Sequence, residues 1–222
     1  MKEKAIESSE PASIAAQSLT LQAEYLAKLQ AKSFPKLSTV ELDDRRIPEN
    51  ALVDTSAWSA PRSLDQLPDF IAKMVPTLKT RLAQKSKDNG APTLLFLTGA
   101  ALRVVDAVRV LKSKTLRGEK GGDVAKLFAR HFKLEEHVAY LKRAKIGSAV
   151  GTPGRIGKLL CDTDALSTSA LTHIILDVTY KDAKQRSMFD IPETRDEVFR
   201  TVLGADSVRQ GIQRDKIQIV LF

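Results

Sequence analysis

The segment GTPGR at residues 151–155 combines residue types that can hold a phosphate group. Thr152 supplies a hydroxyl, and Pro153 is typical of the first position of a helix, where its missing N–H would have no partner. The free N–H groups and the dipole of a helix start attract anions. Gly154 admits a backbone at close range, and Arg155 adds a fork of donors. The segment therefore predicts a contact with a sugar–phosphate backbone, although the same residues also occur at ordinary helix starts.

A second strand-to-helix junction repeats this arrangement. Thr98 and Gly99 follow the apolar run 93–97, and Arg103 lies one turn into the helix that comes next. Junctions at the carboxyl ends of parallel strands share one edge of the sheet, so we expect the two corners to lie on the same edge. The residues predicted to contact the phosphate backbone are Thr98, Gly99, Arg103, Thr152, Pro153, Gly154, Arg155 and Lys158.

Positive charge is concentrated in one quarter of the sequence. Residues 101–160 contain fourteen lysines and arginines against five aspartates and glutamates, a net charge of +9, while the other 162 residues sum to −1. Clustered cations neutralise phosphates and release their counterions, so the cluster predicts a nucleic-acid partner. Lysines that are simply solvated on helix surfaces are the alternative.

The composition excludes several other classes of site. Cys161 is the only cysteine, so neither an intramolecular disulfide nor a thiolate-rich zinc site can form, and we expect it to be a small buried hydrophobe. His131, His137 and His173 are too scattered for a metal-binding pair, and we assign no metal. The polar start and the lack of any apolar run of about 18 residues predict neither a signal peptide nor a membrane partner.

From residue 63 onward, helical periods and short apolar runs alternate. Helices are expected from Ser63 to Lys85 with a kink at Pro76, after Thr98, over 134–143, from Pro153 and from Pro192. The first helix after Thr98 has the predicted apolar face Leu102, Val105, Val108 and Leu111. The predicted strands are 93–97, 124–129, 146–150, 173–180 and 216–222. This alternation predicts an α/β fold with a mainly parallel sheet flanked by helices.

Residues 1–62 have a different pattern. A helix is expected from Pro11 to about Lys32, and it is followed by a segment without periodicity, residues 36–58, which we interpret as an extended arm. Its isolated apolar side chains indicate that the arm lies on a surface, either of its own domain or of a partner. These side chains are Leu37, Leu42, Ile47 and Trp58. We therefore divide the chain into residues 1–62 and a domain at residues 63–222.

Three motifs in this order resemble the first RecA-type lobe of a DEAD-box RNA helicase. They are FLTGAALRVVDAV, IGSAVGTPGR and LTHIILDVTYKDAKQRSMF. The resemblance implies a single RecA-like, P-loop NTPase-like domain, and it implies RNA contact at the two corners described above. The first corner along the chain, Thr98-Gly99-Ala100, departs from the Pro-Thr-Arg-Glu pattern of these helicases.

The departures from that family predict a protein without catalysis. Nucleotide hydrolysis by this class needs a GxxxxGK[ST] loop, which the sequence does not contain, and the lysines of GEKGGDVAK at 118–126 are misplaced. The metal-binding aspartate of the helicases corresponds to Asp177, but Val178 stands where a glutamate would orient the attacking water. The sequence offers no second lobe. We therefore expect no ATP, no other cofactor and no helicase activity.

Nearly the whole chain resembles the eukaryotic Cms-one family of helicase-like proteins, which is associated with the 90S pre-ribosome. The most distinctive matches are MFDIPETRDEVF at 188–199 and the terminal IQIVLF. The resemblance implies a nuclear, nucleolar factor of early small-subunit (18S rRNA) maturation whose partners are pre-ribosomal RNA, 90S proteins or both. Members typically carry an acidic or lysine-rich leader that is absent here, as expected of a shortened chain.

Two other functions remain open from the sequence. In the first, the protein is an interaction scaffold in the same particle, the arm and the IPETRDEVF helix contact other proteins, and RNA is not bound. In the second, it is a Rossmann-like methyltransferase with FLTGAA as the cofactor loop. That loop lacks the spaced glycines, and no acidic strand end follows about 20 residues later. The sequence favours a non-catalytic RNA-binding factor.

Overall fold

Five parallel strands form one sheet at the centre of the protein. The computed structural model describes residues 13–222. The strands are β1 (Leu94–Leu97), β2 (Asp123–Leu127), β3 (Ile146–Gly151), β4 (His173–Leu176) and β5 (Gln218–Leu221). Their order across the sheet is β2-β3-β1-β4-β5, and every neighbouring pair is parallel. The predicted α/β fold with a parallel sheet flanked by helices is confirmed.

The helices connect the strands and cover both faces of the sheet. They are α1 (Leu19–Ser33), α2 (Thr39–Asp43), α3 (Leu67–Met74), α4 (Pro76–Leu82), α5 (Ala101–Leu111), α6 (Lys114–Arg117), α7 (Leu134–Leu141), α8 (Pro153–Cys161), α9 (Pro192–Glu197) and α10 (Asp206–Gln213). A π-helical turn, Val198–Val202, continues α9, and 3-10 turns lie at Ile14–Ala16, Glu49–Ala51 and Leu64–Gln66. Within residues 13–222, none of the helices has the length and apolar character needed to cross a membrane.

The sheet separates two hydrophobic clusters. Successive residues of a strand face opposite sides, so Leu95 and Leu97 of β1 belong to one cluster and Leu94 and Phe96 to the other. All four are buried. Strands covered on both faces must be apolar throughout, which is why short continuous apolar runs in the sequence correspond to strands. The first cluster also contains Leu26 of α1 and side chains of α8, and the second contains side chains of α3 to α5.

Several predicted elements differ in detail. The prediction of the apolar face of α5 is wrong at its first position. Leu102 is 74% exposed, whereas Val104 and Ala107 are buried. Leu102 lies about 200° around the helix from Val104, so it is on the face opposite the one that packs on the protein. The helix expected from Ser63 to Lys85 is two helices, separated at Val75, and Pro76 is the first residue of α4. The loop expected at 113–123 contains α6, and α10 was not predicted.

Helix α1 begins later than expected. It starts at Leu19, and the Ser18 hydroxyl caps it by accepting a hydrogen bond from the Leu21 N–H at 3.4 Å. The predicted start at Pro11 lies outside the described residues. The helix buries Ala23, Leu26 and Leu29 in the first cluster. Helix α1 therefore packs on the body of the protein.

The arm at residues 36–58 lies on the protein's own surface. Ile47 and Trp58 are buried, and the Trp58 ring meets the Phe70 ring edge-on at 5.4 Å. The arm is not wholly extended, since it contains α2. Leu52 forms a single parallel bridge with Ile219 of β5, which covers part of a free sheet edge. The domain division at residue 62 stays a prediction.

Replacing a buried side chain of α1 tests how strongly this helix is docked. Leu26→Ala should destabilise the protein by about 2–5 kcal/mol, because Leu26 is 1% exposed and its loss leaves a cavity. Leu21→Ala is the matched control on the same helix. Leu21 is 47% exposed, and we expect a loss below about 1 kcal/mol. Urea unfolding followed by Trp58 fluorescence measures both, and equal losses would contradict docking of α1.

Candidate phosphate-binding edge

The two predicted corners lie side by side at the carboxyl edge of the sheet. Leu97 pairs with Gly151 of β3 on one side and with Leu176 of β4 on the other. The residues that follow these three are Thr98, Thr152 and Asp177, so they come together although they are far apart in the sequence. The Thr98 N–H donates to the Gly151 carbonyl at 3.2 Å, and the Asp177 N–H donates to the Leu97 carbonyl at 3.0 Å.

Helix α8 begins as its sequence predicts. Thr152 is the N-cap with an extended backbone, and Pro153 is the first helical residue. The helix start opens on a cavity of about 180 Å³. The cavity is lined by Ala129, Thr152, Gly154, Arg155, Lys158 and Glu197. Four of the predicted contact residues therefore share one cavity, and Lys158 is exposed at its side.

Glu197 at the end of α9 places a carboxylate against the start of α8. It accepts a hydrogen bond from the Gly154 N–H, and it is attracted by the Lys158 ammonium. Burial raises the pKa of Glu197 above its ordinary value, and those two contacts oppose the rise. A Cβ at residue 154 would overlap the Glu197 carboxylate. Glu197 was not predicted from the sequence, because no local pattern links it to residue 154.

The Arg155 side chain is directed into the protein. It is 7% exposed, and its guanidinium donates to His137 Nδ1 at 2.9 Å and to the Phe132 carbonyl at 2.8 Å. Because arginine can only donate, His137 is neutral here and accepts at Nδ1. Burial, followed by the charge of Arg155, lowers the pKa of His137 to about 4. Arg155 therefore holds α8 against the segment that precedes α7, and its direct contact with RNA stays a prediction.

At the second corner, the predicted cation Arg103 forms an ion pair inside the protein. Arg103 donates to both carboxylate oxygens of Asp177, at 2.9 and 3.1 Å, and its guanidinium lies 4.7 Å from the centre of the Tyr180 ring. Asp177 is 1% exposed, and burial raises its pKa against the lowering effect of Arg103. Thr98 is fully buried beside this pair, while Gly99 is half-buried. Arg103 thus binds both carboxylate oxygens of Asp177, which a metal cation would need as ligands.

The segment that includes the cavity-lining Ala129 carries further cations. Arg130 and Lys133 are exposed in the segment after β2, next to the cavity-lining Ala129. Lys126 Nζ lies 5.3 Å from the centre of the Phe132 ring, whose carbonyl accepts from Arg155. We call Lys126, Arg130, Lys133 and Lys158 the basic corner. The charge count of residues 101–160 pointed to this region, but only Lys158 was predicted individually.

Two smaller predictions have different outcomes. Cys161 is exposed, contrary to the expectation of a buried hydrophobe, because it lies at the last position of α8. Its Sγ donates to the Thr201 carbonyl at 3.2 Å, and partial burial with nearby acids raises its pKa. His173, for which the position at a strand start predicts a residue at the edge of the core, is buried at the start of β4, with Nδ1 2.8 Å from the Thr172 hydroxyl. Among residues 13–222, no group of three or more His, Cys, Asp or Glu side chains could hold a metal ion.

The Arg103–Asp177 pair can be tested by a double-mutant cycle. Arg103→Met should cost about 3 kcal/mol of unfolding free energy at pH 7, because it leaves the Asp177 charge buried without its partner. Adding Asp177→Asn should restore part of that loss, since no charge then remains buried. Urea unfolding of the four proteins measures the coupling. Losses that simply add would show that the two groups do not stabilise each other.

The His137–Arg155 contact predicts a specific pH dependence. The folded protein holds His137 with a pKa near 4, below the ordinary value of 6.5, so the unfolded chain binds a proton in this interval and the folded one does not. Stability is therefore lost as the pH falls from 6.5 to 4. Between pH 7 and pH 5 the wild type should lose about 2 kcal/mol more than His137→Asn, whose amide oxygen can still accept from Arg155. Identical pH dependence in urea unfolding would contradict a buried, neutral His137.

The chain matches a known family over nearly its entire length. Residues 3–222 match the family described as CMS1, U3-containing 90S pre-ribosomal complex subunit. Protein CMS1 of Chaetomium thermophilum is 38% identical over 186 residues, which cover 84% of this chain and 72% of that protein. Protein cms1 of Schizosaccharomyces pombe is 32% identical over 189 residues, covering 85% of this chain and 64% of that protein.

Two further similarities cover smaller parts of this chain and of the matched proteins. Human protein CMSS1 is 32% identical over 160 residues, 72% of this chain and 53% of that protein, so the chain spans only about half of the human relative. A crystal structure of a DEAD box protein from the hyperthermophile Methanococcus jannaschii is similar over 73% of this chain and 37% of that chain, with 18% identity and a TM-score of 0.41. By the match over residues 3–222, the chain belongs to the CMS1 family of U3-containing 90S pre-ribosomal complex subunits.

Proposed function

We propose that the protein is a non-catalytic, helicase-like factor that binds RNA within the 90S pre-ribosome during early maturation of the small ribosomal subunit and its 18S rRNA. The family description, a subunit of the U3-containing 90S pre-ribosomal complex, supports the particle. It also supports action in the nucleus and the nucleolus, where such particles assemble. The partners are pre-ribosomal RNA, 90S proteins or both, without a membrane or ATP.

The observation that carries RNA binding is the basic corner at the carboxyl edge of the sheet. Thr152, Gly154 and Lys158 line one cavity at the start of a nine-residue helix. Arg130 and Lys133 are exposed in the segment that follows the cavity-lining Ala129. A helix start with several free cations around it binds phosphate groups regardless of base sequence. We therefore place the RNA backbone along this corner, with Thr98, Gly99 and Arg103 of the second corner behind it.

The second corner supports binding without turnover. The Asp177 carboxylate is buried under Arg103, and Val178, which follows it, is buried and apolar. Neither residue can then hold a metal ion or orient an attacking water for hydrolysis. The sequence also contains no GxxxxGK[ST] loop to hold a triphosphate.

The scaffold alternative has less support from the contacts. Ile47 and Trp58, which it would present to other proteins, are buried in the protein's own core. The segment from Pro192 to Val202 packs on α1 and α8. An RNA contact needs neither Ile47 nor Trp58 to be released, whereas a protein contact through these two side chains would. RNA binding is therefore the function that the structure supports best.

Removing one cation from the basic corner tests this proposal. Lys158→Ala should weaken binding of a fluorescein-labelled 20-nucleotide single-stranded RNA and reduce the slope of log K against log salt by about one unit, as expected for one lost phosphate contact. Lys145→Ala is the matched control, because Lys145 is equally exposed but immediately precedes β3, at the opposite edge of the sheet. Fluorescence anisotropy at several KCl concentrations measures both slopes.

Two outcomes would contradict the proposal. One is absence of RNA binding by the wild-type protein at low salt. The other is an equal loss from Lys158→Ala and Lys145→Ala, which would indicate that the net charge alone attracts RNA. A crosslink between the segment 126–133 and pre-ribosomal RNA in assembled particles would provide independent support.

A further inference from the structure

The predicted phosphate position at the start of α8 already holds an anion of the protein itself. The Glu197 carboxylate accepts a hydrogen bond from the Gly154 N–H and is attracted by Lys158. Both groups line the same cavity as Glu197. A carboxylate and a phosphate share a negative charge and acceptor oxygens, and both are stabilised at helix starts. The two groups therefore compete for the same donors.

A second observation is an unpaired donor on a residue that lines the cavity. Arg155 is 7% exposed and lines the cavity, and its Nε–H has no hydrogen-bond partner among residues 13–222. A buried donor without an acceptor is costly, and in native proteins it often marks a position where a ligand or water binds. Glu197 thus satisfies only part of the donors around this cavity. A group with more acceptor oxygens, such as a phosphate, would suit it better.

The Glu197 side chain can leave without a change in the fold. Its backbone is held by the Thr201 hydroxyl, which donates to the Glu197 carbonyl at 2.6 Å. The only hydrogen bond that holds the carboxylate among the described contacts is the one from Gly154. Exposed Glu193, one turn earlier on α9, repels it. A rotation of the side chain alone would therefore open the helix start.

We infer that Glu197 is an intramolecular stand-in for phosphate, and that RNA reaches the start of α8 only by displacing it. This inference rests on the proposed function and names the residue that sets the affinity of the same site. Glu197 weakens the binding of every polyanion at this corner, because its carboxylate must move away before a phosphate can enter. Only a ligand with several phosphates in contact with the basic corner would displace it effectively.

The test is the neutral variant Glu197→Gln, which keeps the shape and the acceptor oxygen of the side chain. It should bind the labelled 20-nucleotide RNA about fivefold more tightly than the wild type at constant salt. Glu193→Gln removes the same charge one turn away, on an exposed side chain that does not line the cavity, and should change the affinity less than twofold. Thermal unfolding of both variants checks that the fold is retained.

A second readout separates displacement from a general charge effect. In the wild type, Glu197 partly neutralises Lys158, so Lys158→Ala should weaken RNA binding more in the Glu197→Gln background than in the wild type. Equal gains from Glu197→Gln and Glu193→Gln, or tighter binding by neither, would overturn the inference while Lys158→Ala still supports the proposed function. If no variant binds RNA at low salt, the proposed function fails as well.

Discussion

The close packing of helix α8 against the π-helical turn determines the chemistry of the sheet edge. Gly154 and Gly157 present no side chain to that turn, and a Cβ at either position would overlap Glu197 or Thr201. This contact brings an acidic side chain from a distant segment to the start of α8. Gly154 of the GTPGR segment therefore serves a contact within the protein. Any ligand meets a helix start whose dipole is already partly compensated by the Glu197 carboxylate.

The arginines at both corners have hydrogen-bond partners inside the protein. Arg103 is paired with Asp177 at the end of β4, and Arg155 is hydrogen-bonded to a neutral His137. Two of the three predicted arginine and lysine contacts thus stabilise the positions of loops and helices, and the exposed lysines and Arg130 carry the free positive charge. Such a division suits a protein that binds a polyanion through its outer surface.

Local features were predicted well from the sequence, and long-range pairs were not. The strands Leu94–Leu97 and Ile146–Gly151 and the helix start at Thr152 follow from apolar runs and from the chemistry of proline, which depend only on neighbours in the chain. The partner of Arg103 lies 74 residues away, and no pattern within one element indicates it. Helix α10 was missed because its buried side chains are few, chiefly Val208 and Ile212.

The bridge between Leu52 and Ile219 covers part of the outer side of the sheet. Strand β5 is the last of the sheet, and the arm covers its outer side with the Leu52 contact and the hydrogen bond from the Val53 N–H to the Ile219 carbonyl at 2.9 Å. Arg62 also donates to the Leu221 carbonyl at 3.1 Å. A chain that began after the arm would leave the outer side of the apolar strand β5 uncovered. Strands from other copies could then pair with β5 and form aggregates.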